Sequence, residues 1–215
     1  MLAILIALVA AFAVCHLPGP RAFARAHLVL VPSHLWRQPW TLVTSAFLHP
    51  TFGALLSSGL GLWFFGTPVE QQLGRSRALG ILGLATLAGS LASALLGLVL
   101  APQSVILGAE PATMAMVVGF GFAYRSMPIM LFGLQPMRAS TVAGLFAVIA
   151  MVVYLISGDV VGLGGALAGG GIGALLTSGV RFGSWSNSIA RFRRWRIRRR
   201  YRVIPGGRDG RRYLH

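Results

Sequence analysis

The sequence predicts an all-α membrane protein, in which six transmembrane helices form one bundle and a basic tail follows. Of the 215 residues, 55% are hydrophobic and only 11% are charged, whereas soluble domains carry about 25% charged residues. The mean hydropathy of +0.73 agrees with a lipid environment. Because backbone polar groups in lipid must be satisfied within one segment, the long apolar runs are expected to be helices.

Six apolar runs approach the roughly 20 residues that a helix needs to cross a bilayer. They are residues 2–17, 40–65, 78–100, 112–124 with its flanks, 141–156 and 160–180. Proline and glycine separate the runs, as in Leu17-Pro18-Gly19-Pro20 and Ala101-Pro102, and these residues commonly end helices. The expected organisation is a transmembrane domain over 1–180 and an Arg-rich tail over 181–215.

The first apolar run has two interpretations. Its length and the Ala11-Phe12-Ala13 triplet are similar to a secretory signal with its cleavage site, but no basic residue precedes it. A first spanning helix is therefore favoured, and whether Met1 is the true start stays open. Cys15 lies in this run as the single cysteine, so no intrachain disulfide is possible, and we expect it to be a small buried apolar residue.

The distribution of arginine predicts the orientation in the membrane. The chain has no lysine, and twelve of its nineteen arginines lie between residues 181 and 212. Short loops rich in Arg tend to remain cytoplasmic, and Arg75, Arg77, Arg125 and Arg138 lie in the second and fourth loops. We therefore expect a multi-pass protein of the bacterial inner membrane with both termini in the cytoplasm. The first loop contains three arginines although this orientation places it outside the cytoplasm. We expect it to lie on the outer membrane surface.

Several uncommon residues occur in order between positions 36 and 80. They are Trp36-Arg37 in the first loop, Thr44-Ser45-Ala46-Phe47-Leu48-His49, Trp63-Phe64-Phe65-Gly66, and a turn from Glu70 to Gly74 followed by Arg. This pattern resembles the rhomboid family of intramembrane proteases. The likeness covers nearly all of residues 36–180, and the sixth run also looks like the last helix of that family.

The resemblance implies a position for each catalytic group of a rhomboid serine protease. Such a protease has a nucleophilic Ser on the fourth span, a His base on the sixth, and a His and an Asn on the second that hold the oxyanion. The matching positions here are Glu110, Gly162, Ala54 and Ser58. Since loss of the nucleophile or base of a serine hydrolase lowers turnover by about 10⁶, the resemblance implies a fold without serine protease activity.

Glu110 has two interpretations that stay open. An ionisable side chain at membrane depth usually marks a functional site, and the first interpretation groups Glu110 with His49 and Ser58 in a polar outer cavity. The second places Glu110 at a helix N-terminus, where water and the helix dipole stabilise its charge. Asp159 lies on the same face, and we interpret it as the cap of the sixth helix rather than as a second catalytic carboxylate.

Small residues recur every four positions on the sixth run, at Gly165, Gly169 and Gly173. Such a face allows a neighbouring helix backbone to approach closely. We expect it to pack internally against the small residues of the fourth run, and a dimer interface is the alternative.

The tail interleaves arginine with aromatic and aliphatic residues, which is typical of a segment lying on a membrane surface. Its core is Arg193, Arg194, Trp195, Arg198, Arg199 and Arg200. Each Arg near an anionic leaflet contributes about 1 kcal/mol to binding. Nucleic acid attracts the same charges, but lipid headgroups are favoured because the tail follows a spanning segment directly.

Three functions are compatible with these residues. The resemblance to derlins and inactive rhomboids implies a pseudoprotease that binds transmembrane segments of client proteins in quality control, trafficking or stability, without cleaving them. The alternatives are an active intramembrane protease that uses other residues, and a small transporter or scaffold in which Glu110 lines a path. No cofactor or metal site is predicted.

Overall fold

The computed structural model of the protein describes residues 1–129 and 136–178. The predicted tail, with Arg193, Arg194, Trp195 and Arg198 to Arg200, lies outside the described residues. The described part is mainly helical, which confirms the predicted all-α class, and one short antiparallel pair joins β1 (Pro128–Ile129) to β2 (Met137–Arg138). The helices are α1 (Leu2–Cys15), α2 (Pro18–His27), α3 (Thr41–Thr44), α4 (Phe52–Gly61), α5 (Thr67–Leu73), α6 (Arg75–Leu100), α7 (Glu110–Ala123), α8 (Ala139–Ser157) and α9 (Val160–Thr177).

Four continuous helices of the described residues are long and apolar enough to cross a membrane. They are Phe52–Leu73, which joins α4 to α5, and α6, α8 and α9. A fifth span results if α1 and the following helix, which are bent by 112°, are taken together. The helix α7 has 14 residues and a length of about 21 Å, less than the roughly 30 Å of hydrocarbon. The protein is therefore an integral, multi-pass membrane protein. Residues 1–129 and 136–178 provide four or five spans by these criteria, and the predicted number of six is not confirmed.

The second span begins later than predicted, at Phe52 instead of residue 40, and ends at Leu73. Residues before it form α3 and a 3-10 turn over Ser45–Phe47. Two local features explain the shift. Pro50 has no N–H to donate within a helix, and the Thr51 hydroxyl accepts a hydrogen bond from the Ala54 N–H at 3.2 Å, which caps α4.

A π-helical turn over Leu62–Gly66 joins α4 to α5. Pro68 follows it in the first turn of α5 and has no N–H for the carbonyl four residues earlier. The interruption of the regular hydrogen-bond pattern therefore has a local cause in the sequence. The amino group of Met1 pairs with the Glu70 carboxylate in α5, and the Met1 side chain packs against Gly66, so α1 runs beside this span.

The short helix α7 lies at the centre of the bundle. It packs against α6, α8, α9 and the α4–α5 span. Phe120 of α7 meets Phe65 edge to face with ring centroids 5.3 Å apart. Eight residues of α7 are buried: Ala112, Met114, Ala115, Met116, Val117, Gly119, Phe120 and Gly121. Since α7 contacts protein on most sides, its apolar sequence reflects the core and not only lipid.

The glycines of α9 allow it to lie close to both α6 and α7. A Cβ at Gly169 would come within 2.7 Å of Pro111 Cα, and one at Gly173 within 2.7 Å of Ala115 Cα, so α7 and α9 run parallel in direct backbone contact. Gly165 instead faces α6, where a Cβ would lie 3.1 Å from the Gly89 carbonyl oxygen. The Ser93 hydroxyl of α6 donates a buried hydrogen bond to the Val161 carbonyl at 3.0 Å.

Candidate functional site

Position 110 is the first residue of α7, directly after a loop that is fixed by backbone contacts. The Ile106 N–H donates to the Leu30 carbonyl at 2.9 Å, and the Gly108 N–H donates to the Ser45 carbonyl at 3.0 Å. Gly108 has φ +107°, a conformation that residues with a side chain rarely adopt. The Glu110 carboxyl group folds back over Gly108 and supplies the three atoms nearest to a Cβ built there.

Position 162 lies in the first turn of α9 and is crowded by two side chains. The Asp159 carboxylate accepts a hydrogen bond from the Gly162 N–H at 2.7 Å, so the cap predicted at Asp159 is confirmed. A Cβ at Gly162 would lie 2.8 Å from Tyr154 Cε1 and 2.9 Å from Asp159 Cγ. The space that a side chain at this position needs is therefore already occupied.

The two positions lie at the same end of the bundle. Glu110 begins α7 and Asp159 caps α9, and these two helices run parallel in backbone contact. Asp159 and Tyr154 both lie against position 162. The structure thus brings two carboxyl groups and a phenol to the helix ends where α7 and α9 begin. Sequence reasoning missed Tyr154. Its position on α8 gave no signal, and only the tight turn at Gly158, with φ +69°, brings its ring to α9.

The residues at the predicted oxyanion positions lie on α4. Ser58 is buried with 2% of its surface exposed, and the Ala54 N–H is used by the Thr51 cap. A groove of about 290 Å³ lies between α7 and α8. The residues of the predicted polar cavity, His49, Ser58 and Glu110, do not line this groove.

His49 lies in the connection between the 3-10 turn and α4, outside the membrane-spanning segments. It is 4% exposed, and neither ring nitrogen has a hydrogen-bond partner of good geometry among the described residues. Burial lowers the pKa of the His49 imidazole, against a smaller opposing effect of the Phe47 backbone. A neutral ring is therefore favoured, because a buried imidazolium without partners is costly.

The first-loop motif lies at the surface. Trp36 is 86% exposed, and the Arg37 N–H closes a turn by donating to the His34 carbonyl at 2.9 Å. Sequence reasoning missed two residues that fix this loop to α2. The Trp40 indole N–H donates to the His27 carbonyl at 2.8 Å, and the Thr44 hydroxyl donates to the Leu28 carbonyl at 2.9 Å.

The functional groups at the two helix ends are carboxyl groups and a phenol. Glu110 and Asp159 offer carboxyl groups and Tyr154 offers a phenol, whereas serine hydrolysis requires a nucleophile with an adjacent base. Within residues 1–129 and 136–178, no group of three or more His, Cys, Asp or Glu side chains is arranged to hold a metal ion.

Comparison with known families agrees with this architecture. The model of the rhomboid domain matches residues 36–181, about two thirds of the chain, from Trp36 of the first loop to just beyond α9. A search of curated proteins found no match to the chain. The rhomboid match includes α4 to α9 and therefore the whole bundle around α7. On this evidence the chain belongs to the rhomboid family.

Proposed function

We propose that this protein is a rhomboid pseudoprotease, which binds transmembrane segments of client membrane proteins without cleaving them. The observation that carries the proposal is the environment of Gly162, the position that matches the family's base. Tyr154 and the capping carboxylate of Asp159 occupy the space beside it. An imidazole at this position would displace both groups, which supports a site without the family's base.

The matching nucleophile position supports the same proposal. Glu110 folds over Gly108, and the next residue, Pro111, packs against Gly89 of α6 and Gly169 of α9. A serine protease needs a hydroxyl here with an adjacent base and with N–H donors aimed at the oxyanion. Pro111 has no N–H to donate, which removes a backbone donor beside the position of the nucleophile.

The surface of α8 provides a place for a client helix. Its first half packs against α7 through Ala139, Val142 and Ala143, which are buried. Its second half is largely exposed, with Val153 60% and Ile156 82% accessible. Since α8 is held mainly through one half, a client transmembrane segment can lie along its outer half and reach the polar groups at Glu110 and Asp159.

The finer topology belongs to the same proposal. We expect six spans, with α1 and the central α7 as the two short ones. The arginines in the second and fourth loops favour cytoplasmic termini in a bacterial inner membrane. For the tail of residues 181–215, contact between its arginines and anionic headgroups of the cytoplasmic leaflet is favoured over nucleic acid.

Site-specific photocrosslinking tests client binding. A crosslinking residue is introduced at Val153 on α8, and a matched one at Leu91, an exposed position on α6. We expect Val153 to capture membrane proteins through their transmembrane segments, more efficiently than Leu91. Equal labelling from the two positions would mean that the contacts are random collisions in the bilayer, and client binding at α8 would be rejected.

One observation favours a second candidate function, an active intramembrane protease that uses carboxyl groups. Glu110 begins α7 and Asp159 caps α9 at the same end of the bundle, and a pair of carboxyl groups is the catalytic arrangement of aspartic proteases. Purified protein is incubated with a transmembrane substrate, next to Glu110→Ala and Asp159→Ala. Cleavage that both changes abolish would establish this function in place of the pseudoprotease.

A further inference from the structure

A groove of about 290 Å³ lies between the last turns of α7 and the first half of α8. Small and apolar residues line it, namely Val118, Phe122, Ala143, Gly144 and Ala147. At Gly144 no neighbouring atom lies within 4 Å of the position of a Cβ. The missing side chain therefore leaves open space on the lipid-facing side of α8, next to the exposed ring of Phe122.

One arginine lines this groove, and a second lies two residues before Ser140, a lining residue of α8. Arg125 lines it directly, and Arg138 immediately precedes α8. Backbone contacts hold both at the same end of the bundle. The Ser140 hydroxyl donates to the Arg125 carbonyl at 3.1 Å, and Arg138 pairs with Pro128 across the two short strands. Both arginines are exposed.

No carboxylate in the described part of the chain neutralises these two arginines. Glu70 pairs with the amino group of Met1. Glu110 begins α7 and Asp159 caps α9, so both lie at the opposite end of the bundle from Arg125. The mouth of the groove is therefore positively charged, and an anionic occupant complements it.

We propose that this groove binds one anionic phospholipid. Its phosphate pairs with Arg125 and Arg138, and one acyl chain lies along Gly144 and Ala147 beside Phe122. Basic pockets between transmembrane helices recognise anionic headgroups in this way. A zwitterionic lipid fits the apolar part equally well but carries a cationic group that the two guanidinium groups repel. The site goes beyond client binding, because it lies away from Glu110 and position 162.

Native mass spectrometry of the full-length protein in detergent tests the headgroup. The probes are phosphatidylglycerol and phosphatidylcholine with identical acyl chains. We expect the protein to retain phosphatidylglycerol preferentially. The double variant Arg125→Gln/Arg138→Gln should bind it about thirtyfold more weakly, since each Arg contributes roughly a factor of five. Equal retention of the two lipids would overturn the proposal, as would unchanged binding in the double variant.

The matched control is Arg75→Gln/Arg77→Gln. It removes the same amount of charge. Arg75 and Arg77 lie at the same end of the bundle as Arg125, since the nearby Gln72 side chain donates to the Ala123 carbonyl at the end of α7. We expect the control to leave phosphatidylglycerol binding nearly unchanged. A loss as large as that of the Arg125/Arg138 variant would show a diffuse basic surface and no specific site.

Gly144→Leu tests the acyl-chain part of the site. The added side chain enters open space and improves helix propensity, so the fold is retained, which thermal unfolding verifies. We expect the binding of phosphatidylglycerol and of phosphatidylcholine to fall, because both lipids place an acyl chain in the groove. Intact binding in this variant would mean that the headgroup is attracted without a chain in the groove, and the proposed site would be rejected.

Discussion

Gly173 of α9 lies directly against the backbone of Ala115 in α7, where a Cβ would come within 2.7 Å of the Ala115 Cα. The contact between two parallel helices in the membrane therefore depends on the absence of a side chain at one position. Tight approach of this kind provides van der Waals attraction between helices in lipid, where the hydrophobic effect does not operate between them.

Gly173→Ala is expected to destabilise the protein by about 1–3 kcal/mol, because the added methyl group overpacks a backbone contact. Unfolding by SDS titration in mixed micelles measures the change. Gly171→Ala is the matched control on the same helix, since nothing lies within 4 Å of its Cβ position. This control should shift the free energy by no more than about 1 kcal/mol, in the stabilising direction. Equal destabilisation by both changes would contradict the packing described here.

Ser93→Ala is expected to lower the free energy of unfolding by about 1 kcal/mol, the typical contribution of one hydrogen bond. The reason is the loss of the buried bond from the Ser93 hydroxyl to the Val161 carbonyl, which ties α6 to the start of α9. Ser157→Ala removes a similar bond to the Tyr154 carbonyl at an exposed site. A Ser93 effect no larger than that of Ser157 would mean that the bond between α6 and α9 adds no stability.

Asp159→Ala is expected to cost about 1 kcal/mol, because it removes the N-cap of α9. Asp159→Asn keeps an oxygen that accepts from the Gly162 N–H and should retain most of the stability. Thermal unfolding in detergent compares the two variants. If Asn proved as damaging as Ala, the carboxylate charge and not the cap would be the stabilising feature at this position.

The buried imidazole of His49 predicts a pH dependence of stability. Its pKa is lowered in the folded protein, so the unfolded chain binds a proton more readily. The contribution of His49 to the free energy of unfolding is fully present above about pH 6.5, the pKa of the residue in the unfolded chain. This contribution is lost as the pH falls from that value toward the lower pKa of the folded protein. His49→Phe should therefore weaken the loss of stability on acidification, while His34→Phe at an exposed site should not. Identical pH profiles would refute this origin.

The sequence predicts the helical membrane class, the family and the cap at Asp159, because each depends on local patterns. Apolar runs, the Trp36 to Gly74 motif and a carboxylate before a helix are visible without coordinates. The recurring glycines of α9 indicate a close-packed face for the same reason.

Other features depend on contacts that no local pattern encodes. Hydropathy predicts that the second span begins at residue 40, because an average over a window does not detect Pro50 or the Thr51 cap. The sequence of α7 is as apolar as that of a full span, although the helix has only 14 residues. Its apolar residues are explained by contacts with the surrounding helices. Tyr154 approaches Gly162 because of the turn at Gly158, and hydropathy carries no information about that approach.

Intact-mass analysis of a transmembrane substrate after incubation with the full-length protein in liposomes tests most directly whether this rhomboid bundle lacks hydrolytic activity. An active rhomboid protease serves as the positive control for the substrate. We expect the substrate to keep its full mass with this protein while the control cleaves it. A cleavage product that disappears with Glu110→Ala would contradict the assignment and make Glu110 part of a working active site.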